Sequence, residues 1–135
     1  MSQLPPQTSS LFPVDLSYAH DIVDGDVELL QEIVDLFILD YPFQLAALQQ
    51  AITAQDAADI QAKAHRLKCS FGNIGGWEAY KLAYELELMG MRGELGHAAP
   101  YFQELVVGVE AILAFLAQPG WVELAQDWQK GEPQQ

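Results

Sequence analysis

Within a five-residue span the chain carries three side chains able to do chemistry near neutral pH: His65, Lys68 and Cys69. A neutral imidazole is a good nucleophile, a lysine ammonium steadies negative charge, and a thiol reacts or crowds according to its surroundings. At ~100° per residue of helix, Ile60, Ala64, Leu67, Phe71 and Ile74 fall within about 80° of one another and form one apolar stripe that must face a core. His65 stands roughly 140° from the start of that stripe. Its ring is therefore expected on the outside of a rigid helix. The residues sharing its face, Ala58, Gln61, Lys68, Cys69 and Gly72, are small apart from one amide and one cation, so little blocks an approaching group. Lys68, one turn further on, can place positive charge beside anything attached to the ring.

These residues need a scaffold, and the surrounding chain reads as helix throughout. Residues 1–13 contain Pro5, Pro6 and Pro13 among polar residues and read as a flexible leader. Asp15 to Val23 suits a short helix ended by Asp24 and Gly25. Asp26 is then an N-cap for a helix in which Leu30, Ile33, Val34, Phe37 and Ile38 recur at helical spacing up to Tyr41. Pro42 fits the first turn of a following helix with Leu45, Leu48 and Ile52 on its inner side. Asp56 caps the histidine helix, which Gly75 and Gly76 break. Trp77 opens a helix with Ala79, Leu82, Ala83, Leu86 and Met89 on one face, running to Gly90 and Gly93. Pro100 suits the start of the last long helix, with Phe102, Leu105, Val106, Val109, Ile112, Leu113 and Leu116 inside it.

Long amphipathic helices joined by short connections make antiparallel neighbours. The expected fold is all-α: an antiparallel up-down four-helix bundle over residues 14–117 with an additional short N-terminal helix. In the C-terminal segment, 118–135, Trp121, Leu124, Ala125 and Trp128 share one helical face and are expected to fold back on the bundle.

The 135-residue chain is of single-domain length, and its hydrophobic fraction of 50% suffices for a core without metal or disulfide support. One cysteine permits no internal disulfide, which fits a reducing cytoplasm. No uninterrupted apolar run approaches the ~20 residues of a membrane span, and residues 1–13 lack a signal peptide's basic and apolar regions. A soluble protein without a membrane association is therefore expected. A net charge of -13 argues against nucleic-acid binding, whose favourable term needs a basic face. Of the six Lys and Arg, Lys63, Arg66 and Lys68 cluster around the histidine. Glu85 and Glu87 read as solvated charge on alternate helix faces. The chain has no Gly-rich phosphate loop, so it should not use ATP itself.

The run Ala64-His65-Arg66-Leu67-Lys68-Cys69-Ser70, followed by Asn73-Ile74-Gly75-Gly76, resembles the Ala-His-x-Leu-Lys-Gly-Ser signature of histidine-containing phosphotransfer (HPt) domains. The resemblance extends from about Val14 to about Leu116 and takes in Gly25-Asp26, Asp56 and the pair Leu86-Glu87. Cys69 stands where that family usually has glycine. The resemblance implies a phosphocarrier with no kinase activity of its own, which accepts a phosphoryl group on His65 from a receiver-domain aspartate and returns it to another receiver domain. Lys68 is then expected to steady the phosphoryl oxygens. Ala58, Gln61, Cys69, Gly72 and Tyr84 are expected at the partner surface, Tyr84 lying level with His65 across a helical hairpin. No cofactor is expected on this chain; Mg2+ is expected on the partner receiver domain. Partners would be receiver domains of a hybrid sensor kinase and of a response regulator, met by a cytoplasmic monomer.

Two other readings stand beside it. Because Cys69 adds a sulfur near the space a phosphoryl group fills, the chain could dock on receivers without carrying phosphate. Alternatively His65 and Cys69, four residues apart, have a metal-compatible spacing, although His20 and His97 lie in segments with no evident convergence.

Overall fold

The computed structural model describes residues 13–118 and 120–129, the side chains of 125–129 excepted. Nearly all of the leader, together with the Ala125 and Trp128 side chains, thus lies outside the described residues. Six helices follow in order: α1 (Leu16–Ile22), α2 (Val27–Ala54), α3 (Ala57–Asn73), α4 (Trp77–Arg92), α5 (Ala98–Leu116) and α6 (Gly120–Gln129). Three start in the same way. The carboxylates of Asp15, Asp26 and Asp56 accept from the amides of Tyr18, Leu29 and Asp59 at 3.1, 3.0 and 3.1 Å, satisfying donors that the helix itself leaves open. The Asp24-Gly25 step ends the α1 connection with both residues at positive φ.

Helices α2 to α5 form a four-helix bundle in which each packs on the next and α5 closes back on α2, while α1 lies against α2. The core is one cluster to which every long helix contributes: Leu30, Val34, Phe37 and Leu48 from α2, Ile60, Ala64, Leu67 and Phe71 from α3, Ala79, Ala83 and Leu86 from α4, and Phe102, Leu105, Val109 and Ile112 from α5. The α3 stripe is thus the buried one, which turns His65 outward. Helix α6 packs on α1 and α2, with Trp121 buried in the same cluster. Helix α5 is apolar and long enough to cross a membrane by length and composition, with a mean hydropathy of 1.4. Its apolar stripe is spent on the bundle core.

Pro42 departs from expectation. It lies inside α2, which runs unbroken from Val27 to Ala54. A proline there removes the hydrogen bond to the carbonyl of Ile38. Both residues are solvent-exposed, so water can take up that carbonyl, while Phe37 before and Leu48 and Ala51 after the proline are held in one core. Packing across the break outweighs the missing bond. Ile38 also departs from expectation: it lies about 100° from Phe37 around α2, at the edge of the buried face, and is 41% exposed.

Two glycines hold α3 and α4 where the site needs them. A Cβ on Gly90 would stand 2.6 Å from the amide nitrogen of Gln61 and 2.7 Å from the carbonyl of Ala57, so the two backbones touch near the start of α3. At the other end Gly75 turns the chain with φ +71°, and a Cβ there would meet the Asp15 carbonyl at 2.7 Å. Asp15 binds this turn twice, its amide donating to the Gly75 carbonyl at 2.8 Å and its carboxylate accepting from Trp77 Nε1 at 3.0 Å. The α3–α4 hairpin is thereby clamped at both ends.

Candidate functional site

His65 projects from α3 with its side chain 53% exposed. It is not the bare ring that its own helix suggests. Nδ1 lies 3.0 Å from Oε2 of Glu87 on α4, and Nε2 lies 3.6 Å from the Cys69 sulfur. An ionised carboxylate can only accept, so the proton of the neutral ring resides on Nδ1, and Nε2 carries the free lone pair. That nitrogen is the one beside Cys69. A thiol is a weak donor and can point its hydrogen at Nε2, so both neighbours favour the same tautomer.

Glu87 also holds Lys68. The ammonium sits 2.8 Å from Oε1, and only 16% of the lysine side chain and 11% of the glutamate side chain are exposed. On its other side the ammonium lies over the Tyr84 ring, 4.9 Å from the centroid. Burial works against the charge on Lys68. The hydrogen bond and charge of Glu87 outweigh that cost and raise the lysine above its ordinary pKa of 10.5. The result is a chain of contacts from Tyr84 through Lys68 and Glu87 to His65, ending on a nucleophilic nitrogen that faces outward.

This arrangement corrects one expectation. Glu87 is not solvated charge: it is buried together with Ala79, Ala83, Leu86 and Gly90 along one face of α4. Those positions recur at i, i+4, i+7, i+8 and i+11, so a glutamate interrupting an apolar helical stripe was a signal available in the sequence. The Lys68 ammonium, for its part, already has an ionic partner and a ring.

The other candidates spread around this centre. Ala58 and Cys69 are exposed, Gln61 and Gly72 are half-buried, and Tyr84 is 44% exposed while serving Lys68. A Cβ on Gly72 would lie 3.5 Å from the Tyr80 ring, an ordinary contact, so the position borders α4 as well as solvent. Among the described residues no three His, Cys, Asp or Glu side chains converge as metal ligands; His65 and Cys69 do adjoin, but without a third. His20 lies elsewhere, in the last turn of α1 beside Asp21.

The fold and the sequence agree with those of known proteins. Residues 32–118 match the profile of the Hpt domain. No curated protein matches by sequence. Among solved structures, the crystal structure of histidine-containing phosphotransfer protein B (HptB) from Pseudomonas aeruginosa PAO1 superposes with a TM-score of 0.65 over 87% of this chain and 91% of that one, at 21% identity. That identity speaks for a common fold, and the profile match, which covers more than half of the chain, speaks for descent. A helical bundle displaying an oriented histidine is what a phosphocarrier requires, and the profile match over more than half of the length decides the family: the chain belongs to the Hpt domain family of phosphotransfer intermediates.

Proposed function

We propose that His65 is the phosphoacceptor of a phosphorelay, taking a phosphoryl group from the aspartate of one receiver domain and passing it to another. The observation that carries this reading is the pairing of Nδ1 with Glu87, which leaves Nε2 unprotonated on the exposed side of α3. In the forward step the Nε2 lone pair attacks phosphorus, the bond from phosphorus to the aspartyl oxygen breaks, and the aspartate leaves as a carboxylate. No proton moves. The ring, now carrying both the Nδ1 proton and the phosphoryl group, gains positive charge, which the Glu87 carboxylate stabilises through its hydrogen bond. The reverse step returns the phosphoryl group to a second aspartate.

Lys68 serves this chemistry through Glu87, holding the carboxylate toward Nδ1, and through its charge at the rim where phosphoryl oxygens arrive. Since phosphoryl transfer depends mainly on positioning and charge, the partner can supply the remainder, a Mg2+ ion and its acidic pocket. Ala58, Gln61, Cys69, Gly72 and Tyr84 form the surface around the nitrogen that the partner covers. The protein acts in the cytoplasm as a monomer, and a net charge of -13 argues against nucleic acid as a partner.

Incubation with receiver domains carrying labelled aspartyl phosphate should transfer acid-labile, alkali-stable label to the chain. The His65→Gln variant should stay unlabelled while keeping its helical content. Equal labelling of that variant would place the phosphate elsewhere. A second reading, docking without phosphate, draws on the Cys69 sulfur lying 3.6 Å from Nε2. It predicts receiver binding with no label on the wild-type chain.

A further inference from the structure

The solvent side of α2 carries an apolar stripe that the bundle does not use. Leu29, Leu36, Leu39 and Phe43 lie within about 80° of one another around the helix and extend over roughly 21 Å of it. They are 41, 64, 68 and 75% exposed. Single exposed leucines are ordinary, but a line of this kind on a helix whose opposite face already fills the core is a surface built for contact.

Its position ties it to His65. Two depressions follow the groove between α2 and α3. One is lined by Leu36, Phe37, Asp40, Ser70 and Asn73 among others, and the next by Asp40, Phe43, Lys63 and Arg66 among others. Arg66 is the residue after the histidine, level with it along α3 but about 100° from it around the helix, so a body seated on Phe43 and reaching across α3 meets the reactive face. The groove also changes sign. The exposed Asp35 and Asp40 border the stripe on α2 and Glu32 falls within it, while Arg66 and Lys63, the latter paired with Asp59, lie on α3.

The charge pattern chooses the occupant. A second copy pairing through the same stripe would bring Glu32, Asp35 and Asp40 close to their own counterparts in a chain of net charge -13, which opposes association. A partner with an apolar patch edged by Lys or Arg meets no such penalty, and its acidic transfer pocket would fall by Arg66 and His65. We propose that the outward stripe of α2 is the docking surface that holds a receiver domain while its aspartate meets His65, and that this domain contributes an apolar patch with a basic edge. The inference rests on the phosphocarrier reading and names where the partner is gripped.

The test compares two phosphodonors. Phosphoramidate is small enough to reach Nε2 without docking, whereas a receiver domain, charged with acetyl phosphate and Mg2+, must dock. Phe43→Asp, Leu36→Asp and Asp35→Lys all alter exposed side chains, and circular dichroism checks their folding. For a panel of the host's receiver domains, each variant should lower the second-order transfer rate constant ten-fold or more, with phosphoramidate labelling within two-fold of wild type. Wild-type transfer rates from every productive receiver domain would overturn the docking surface and leave the phosphocarrier reading intact. A wild-type dimer in sedimentation that these substitutions dissociate without slowing transfer would give the stripe to a second copy. If His65 takes label from neither donor, the phosphocarrier reading fails and this inference fails with it.

Discussion

Replacing Glu87 by alanine tests the core of the site, because that carboxylate holds both neighbours at once. The change leaves the Lys68 ammonium in a position where its side chain is 16% exposed, without an ionic partner. Removing one member of a fully buried pair costs about 3–5 kcal/mol, and since the His65 end of this pair opens to water we expect about 2–3 kcal/mol. The same change deletes the bond between Nδ1 and Oε2. Hydrogen bonds to charged groups contribute about 1.5–3 kcal/mol, and at ~1.36 kcal/mol per decade the loss slows transfer roughly ten- to hundred-fold. Glu87→Gln keeps an acceptor oxygen without the charge and should fall between alanine and wild type in both measures. Denaturant unfolding reads the stability and single-turnover transfer reads the rate. The 15N chemical shifts of His65 read the tautomer, which a merely structural role for Glu87 would leave unchanged. A variant destabilised as expected but with the wild-type tautomer and transfer rate would refute the argument that Glu87 orients the nucleophile.

Three further outcomes follow from the geometry. The folded-state pKa of Lys68 is raised, so the stability it contributes is fully present below its ordinary value of 10.5 and is lost as pH rises through the higher folded value; an alkaline unfolding series should show this fall in the wild type and a smaller one in Glu87→Gln. Alkylating Cys69, whose sulfur is 3.6 Å from Nε2, should block labelling by filling the approach to the nitrogen, whereas Cys69→Gly should transfer at least as fast as wild type; efficient transfer by the alkylated protein would remove the crowding argument. Leu67→Ala, at a fully buried position of the α3 stripe, should lower stability by about 2–5 kcal/mol in chemical denaturation, and an unchanged unfolding midpoint would misplace that stripe.

Much of this molecule is legible from local pattern because a helix repeats every ~3.6 residues, so a stripe read along the chain is a stripe in space. Ile60, Ala64, Leu67, Phe71 and Ile74 determine which side of α3 is buried, and hence that His65 is presented outward; Asp15, Asp26 and Asp56 mark where three helices start. Pro42 shows the limit of local rules. Its missing hydrogen bond is a property of the sequence, but the core contacts of Phe37, Leu48 and Ala51 that carry the helix past it exist only once the bundle has formed. Glu87 shows the same for chemistry. It lies twenty-two residues from His65 along the chain and within hydrogen-bonding distance of it in space, because Gly90 lets the α4 backbone meet α3 and Asp15 clamps the far turn. Spacing along one helix can present a nucleophile; choosing which of its nitrogens is free takes a side chain from another helix, and only tertiary packing brings that side chain there.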